Sequence, residues 1–359
     1  MTEISPFAYP SNGKVIICGD GPEILVYSGN DDGPLWKQFL TDVIVGVGVT
    51  ADDVYALEAG GRLVKMRLVN GEVLSEDFME MEPTGLLISH DSVMAITFPD
   101  RVLIRHPGRE AIVVMVADVR VIAFGPDGQS MGIGTGSGEF CAIETMTGGE
   151  WGRVSLGGAV SGICWCAQQQ WLVSSGNELH SIRGDGGTIV ETIPVGGIVD
   201  CLACSNDGSV VAILTNGSHI RIYEWLNKRQ AGDIWFQRKV QHLCFGPSGW
   251  LGIGHDEGDA NRVDLFTGEM TRTLAHPGRG QHSWPMQVEV NHSLLRGSST
   301  ALRAGSAPIA IQVRSPENEK KRGRIWLLLI FLLAFLILCC GVFGVCNLSG
   351  WAPKVHFLW

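Results

Sequence analysis

Charge is scarce in this sequence: 18% of its 359 residues are Asp, Glu, Lys or Arg, and the formal net charge is −10. The missing basic excess excludes a nucleic-acid binder, whose phosphate contacts need a positive face. The first residues, MTEISPFAYPSNG, lack both the basic start and the apolar core of a secretory signal. No Ser-His-Asp grouping, paired acid or His-rich metal set stands out, so no catalytic, cofactor-binding or metal-ligating residue is nominated, and no cofactor is expected.

Glycine, by contrast, is abundant, with 47 residues. Four of them alternate from Gly132 to Gly138 inside FGPDGQSMGIGTGSGEF. A phosphate-cradling loop needs a strand before it and a helix N-terminus after it. The run leads instead into EFCAIETMTGGE, which has no helical period. The glycines therefore read as a strand and its hairpin bend.

The wider pattern supports that reading. Stretches related to VIAFGPDG occur at residues 6–13, 46–53, 85–92, 121–128, 162–169, 201–208 and 242–249. Their starts lie 40, 39, 36, 41, 39 and 41 residues apart. The third position, Ala8, Gly48, Leu87, Ala123, Cys164, Ala203 and Cys244, is nearly always small. The fourth is Tyr9, Val49, Ile88, Phe124, Trp165, Cys204 and Phe245, always able to pack. The seventh, Asn12, Asp52, Asp91, Asp127, Gln168, Asp207 and Ser248, suits a tight turn. Three further strand-like runs come after each stretch. Four short strands per roughly 40 residues, repeated, predict an all-β fold: a seven-bladed β-propeller over about residues 1–280.

The pattern FGPDG…MGIGTGSGEF followed by TG resembles the WD40-like propeller family, as does FGPSGWLGIGHDEGDANRVDLFTGEMTRTLAH near the end of the repeats. No repeat carries the Trp-Asp dipeptide, so that family's side-chain network is not carried over; the resemblance implies a fold and a protein-interaction role.

Smaller constellations have structural explanations. Cys164, Cys166, Cys201 and Cys204 have the look of a metal set, but they occupy first strands of adjacent repeats. Cys164 and Cys204 fall in neighbouring columns, whose side chains point to opposite faces, so four thiolates are not expected to converge on one metal, and the cysteines read as small buried apolar groups. HDEGDAN, from His255 to Asn261, reads as a polar hairpin. The two HPGR matches, His106–Arg109 and His276–Arg279, fall at different places in their repeats and read as turn chemistry.

The C-terminal part differs in kind. Ile325 to Cys346 is a 22-residue run without charge, about 33 Å long as a helix, which predicts one transmembrane helix. Lys320, Lys321, Arg322 and Arg324 precede it and Lys354 alone comes after it. The positive-inside rule then places the propeller in the cytoplasm and residues 347–359 across the membrane. Trp326 on one side, and Trp351 and Trp359 on the other, suit the aromatic belts. Residues 281–324 read as a flexible linker, with MQVEV and PIAIQV as candidate extra strands on a blade's outer edge.

These features predict a single-pass, tail-anchored scaffold or adaptor that binds the bilayer through its tail and one or more proteins through propeller loops. The order of propeller and C-terminal span is similar to that of Sec12-type exchange factors for small GTPases, whose glycine-rich potassium-binding loop is not evident in KVIICGDGPEILVY. A propeller enzyme is the third possibility. The partner-binding residues are unassigned by sequence.

Overall fold

The computed structural model describes residues 7–8, 15–28, 34–89, 91–205, 207–246, 249–255, 260–265, 270–274, 285–290 and 311–312. The chain divides into two units, Met1–Arg314 and Ser315–Trp359. The expected span Ile325–Cys346 and its flanking Lys320, Lys321, Arg322, Arg324, Trp326, Trp351 and Trp359 lie outside the described residues. Among the described residues no helix is long and apolar enough to cross a membrane.

Seven antiparallel sheets succeed one another along the chain, each with four consecutive strands. These blades run Phe7–Phe39, Ile44–Phe78, Gly85–Met115, Val119–Ser155, Val160–Pro194, Val199–Phe236 and Val240–Leu274. Burial is deepest in the second strands and least in the fourth. The second strands Ser130–Thr135 and Val210–Thr215 are buried at every position, whereas the fourth strand Val73–Phe78 is exposed at every position. A strand buried on both faces reads as a continuous apolar run, and these second strands do.

Seven hydrophobic clusters account for that double burial, because each fills the joint between two neighbouring blades. In blade 6, Val211 and Ile213 pack toward blade 5 while Ala212 and Leu214 pack toward blade 7. The ring closes where Cys18, Leu25 and Tyr27 of blade 1 meet Cys244, Trp250 and Ala260 of blade 7.

The glycine run sits as the second strand of blade 4 and its turn, Ser130–Thr135 followed by Gly136–Gly138. A Cβ on Gly132 would lie 2.8 Å from the Phe140 ring and 3.1 Å from Trp171 of blade 5. Gly138 has φ of +89°, a left-handed turn that glycine adopts without strain.

The sequence columns slip by one residue in blade 3. Gly48, Ala123, Cys164, Ala203 and Cys244 pair with the residue three before the end of the second strand, and in blade 3 that partner belongs to Ile88, not Leu87. The cause is a bulge near the start of the first strand, after Ile44, Val119, Val160, Val199 and Val240, which blade 3 lacks.

Two strands beyond the seventh blade join earlier sheets. Pro285–Val290 pairs antiparallel with the outermost strand of blade 6, Ile234 opposite Val288. Ile311–Gln312 pairs with the first strand of blade 4, Ile311 opposite Ile122. That is an inner strand, not the outer edge expected for PIAIQV; an inner strand also has an edge of unpaired N–H and C=O groups to offer.

Candidate interaction surface

One end of the disc carries the turns between second and third strands and the loops that lead from each blade to the next. It is built around a column of polar residues at the last position of the second strands. Glu58, Thr97, Thr135, Ser175, Thr215 and His255 are all buried there. Burying a polar group is favourable only when it is hydrogen-bonded, and the column shows how that is met. The Glu58 carboxylate accepts from the backbone N–H of Thr41 at 2.6 Å and of Asp42 at 3.0 Å, and from the Thr41 hydroxyl at 2.9 Å. Ser175 donates to Gly158 O at 2.7 Å, and the Thr84 and Thr97 hydroxyls meet at 3.0 Å. In all three the incoming loop is tied to the turn it crosses. These contacts hold the loops that enter blades 2, 3 and 5 in fixed positions.

The same end carries an apolar arc. In blades 1 to 5 the last residue of the fourth strand pairs with the first of the third, and in blades 1, 2 and 3 that residue is Phe39, Phe78 and Met115. All three are about two-thirds exposed, at 64%, 67% and 63%. In blades 4 and 5 the place belongs to Ser155 and Pro194; in blade 6 the partner of the first third-strand residue is Trp235, 41% exposed and stacked on His219. Met81 adds a further exposed apolar side chain in the loop after Phe78. Single exposed apolar residues are ordinary, but here they recur at equivalent places on three consecutive blades.

Acids surround the middle of the arc. SEDFMEMEP, residues 75–83, holds Glu76, Asp77, Glu80 and Glu82 and no Lys or Arg. Glu76 bonds Arg62 at 2.7 Å, and Asp77 pairs with Arg105. The Arg62 guanidinium holds the Glu76 carboxyl below the usual carboxylate range. Glu80 and Glu82 stand exposed beside Met81. An apolar arc with a negative field suits a segment that brings both apolar anchors and positive charge.

The residues singled out in the sequence fall elsewhere. His255 and Asn261, the described ends of HDEGDAN, bond each other, Nε2 to Oδ1 at 2.6 Å. His106 of the first HPGR meets Thr145 O of the next blade at 2.8 Å, and the second HPGR lies outside the described residues. No three His, Cys, Asp or Glu side chains among the described residues gather to hold a metal ion. In blade 1 the turn between second and third strands is Gly21 and Pro22 alone, so those strands enclose no longer loop. The opposite-face geometry of the two cysteine columns does not keep every thiol apart: Cys164 Sγ and Cys204 Sγ lie 2.6 Å from each other. Adjacent blades turn opposite faces toward one another, so columns that face apart within a blade meet across a joint.

No protein-family model matches the sequence, and no curated protein does. Solved structures do match in shape. The β-propeller domain of Cps50 (Swd1) from Myceliophteria thermophila aligns with a TM-score of 0.60 at 13% identity, covering 72% of this chain and 96% of that one. A chain of the Mitotic Checkpoint Complex gives 0.65 at 13% identity, over 77% and 88%. Saccharomyces cerevisiae Sqt1 gives 0.59 at 12% identity, over 86% and 95%. These are WD40-type propellers. The chain shares their seven-bladed fold, and the arc over blades 1–3 is read from its own residues.

Proposed function

We propose that this protein is a membrane-anchored interaction scaffold whose propeller takes up a basic, apolar-anchored segment of a protein partner along the arc of blades 1–3. The observation that carries the reading is the arc itself: Phe39, Phe78 and Met115 exposed at equivalent places, with four acids in residues 75–83. WD40-type structural neighbours support an interaction role, and two of them carry names that refer to a complex or a propeller domain.

Charge distribution supports the anchored arrangement. Residues 1–314 contain 22 Lys and Arg against 35 Asp and Glu, a charge of −13, while residues 315–359 contain 5 against 2, a charge of +3. A basic stretch beside an apolar span favours an anionic leaflet, and an acidic propeller is repelled by it. The propeller is placed in the cytoplasm, held by Ile325–Cys346 with Lys320, Lys321, Arg322 and Arg324 at its entry. Anchoring raises the local concentration of binding surface at the membrane, which strengthens a weak contact without adding to it.

The test is affinity capture of full-length protein from detergent-solubilised membranes, wild type beside a Phe39→Ser, Phe78→Ser, Met115→Ser variant. The expected result is a partner retained by wild type and reduced at least tenfold by the variant. Equal retention by both would remove the arc as the binding surface.

A further inference from the structure

The joint between blades 5 and 6 holds a feature that the interaction role does not use. Cys164 lies on the first strand of blade 5, Val160–Cys166, and Cys204 ends the first strand of blade 6, Val199–Cys204. Their sulfurs are 2.6 Å apart. That is closer than the roughly 3.5–4.0 Å at which non-bonded heavy atoms rest, and places the two thiols within reach of a disulfide. Cys166, Leu172, Leu179, Val211, Ile213 and Trp225 share their cluster.

We infer that Cys164 and Cys204 form a peroxide-oxidisable thiol pair that closes to a disulfide across the joint between blades 5 and 6. Cys204 is the less enclosed residue of the pair but its thiol is itself buried, so peroxide reaches the sulfurs from the Cys204 side only as the joint opens. The Cys204 thiolate attacks one oxygen of hydrogen peroxide, the O–O bond breaks, and sulfenic acid forms with release of hydroxide, which takes up the thiol's proton as water. Cys164 sulfur then attacks the Cys204 sulfur, the S–OH bond breaks, and a second water leaves. Two thiols and one peroxide give one disulfide and two waters. A low-molecular-weight thiol reverses it by exchange.

Two neighbours define the specificity. Cys166, two residues along the same face as Cys164, donates to Gln170 O at 3.3 Å within its own blade. Cys201 lies an odd number of residues from Cys204 and bonds Leu202 O at 3.8 Å. Burial pushes the Cys204 thiol well above its usual range, with the Cys164 sulfur next in importance. Closure is therefore slow near neutral pH and speeds up as pH rises.

The test uses full-length protein in detergent, treated with hydrogen peroxide, alkylated under denaturing conditions without reductant, and digested with trypsin. Cleavage after Arg153, Arg183 and Arg221 separates a peptide with Cys164 and Cys166 from one with Cys201 and Cys204. The expected product is the two peptides joined, about 2 Da lighter than their sum, with fragmentation placing the bond at Cys164 and Cys204. Cys166→Ser and Cys201→Ser keep the link, and Cys164→Ser or Cys204→Ser loses it. Wild-type fragmentation alone decides the point if a serine variant fails to fold. A bond through Cys166 or Cys201, or both peptides remaining alkylated at all thiols, would overturn the assignment.

Discussion

Gly132 does at the scale of one residue what the glycine run does for the whole blade. It leaves room for the Phe140 and Trp171 rings, whose centroids lie 5.8 Å apart, so two blades approach closely over the second strand at that point. The sequence showed the run as strand and turn; it could not show that the space is for Trp171, since that needs the neighbouring blade. His242 is a second case. Its Nε2 is shut off from water and has no hydrogen-bond partner, although the residue as a whole is only half-buried. Burial pushes its pKa down to about 4, so it is neutral in the folded protein, while the unfolded chain protonates near pH 6.5. Between those values the unfolded state binds more protons, so the stability this group contributes is full above about pH 6.5 and falls as pH drops toward 4. His180, also lowered by burial, acts in the same direction. Urea unfolding at pH 7 and pH 5 should show a loss of the order of 1–2 kcal/mol from His242, which His242→Gln removes. An equal pH dependence in the variant would mean that His242 is not the titrating group.

At the scale of strands, the sequence displayed the first three of each blade and blurred the fourth. Val73–Phe78 is exposed throughout, so no buried face disciplines its pattern, and a reading built on apolar columns passes over it. The arc lies at the ends of fourth strands, beyond the reach of the apolar columns of the core. The signal available was SEDFMEMEP, where acids alternate with large apolar residues at a place no core requires. The blade 3 slip has a different source: the bulge is a property of backbone pairing, and no residue type in Val45, Arg120, Ser161, Asp200 or Gln241 announces it. Because Phe39, Phe78 and Met115 stand on the rim and not in a joint, replacing all three by Ser should leave thermal stability nearly unchanged, within about 0.5 kcal/mol per site. A melting temperature lowered by many degrees would show that these side chains hold the blades, and would make the capture experiment uninterpretable as a binding test.

For the molecule as a whole, repetition was legible and closure was not. Seven repeats of nearly constant length announce seven blades, but each blade here is made from consecutive strands, so no strand is shared between the first and last. Among the described residues the ring is closed by side-chain packing, six residues in that cluster against sixteen in the joint between blades 6 and 7. Trp250 is the largest of the six; its ring covers Gly246, where a Cβ would approach to 2.0 Å, and Arg262 lies 5.0 Å from the ring centroid. Trp250→Ala should lower stability by about 3–5 kcal/mol. Hydrogen exchange should then rise first in Val15–Asp20 and Val240–Phe245, with blades 4 and 5 still protected. Uniform loss of protection would mean that the ring opens at no particular joint.

The central claim, a propeller that presents acids and apolar anchors to a basic partner segment, is tested most directly by zero-length coupling of carboxylates to amines in intact membranes, with peptide mapping of the products. Partner lysines should be joined to Glu80 and Glu82, with the products lost when Phe39, Phe78 and Met115 are replaced by Ser. Partner lysines joined only to acids of blades 4–7, or products that survive the replacement, would contradict it.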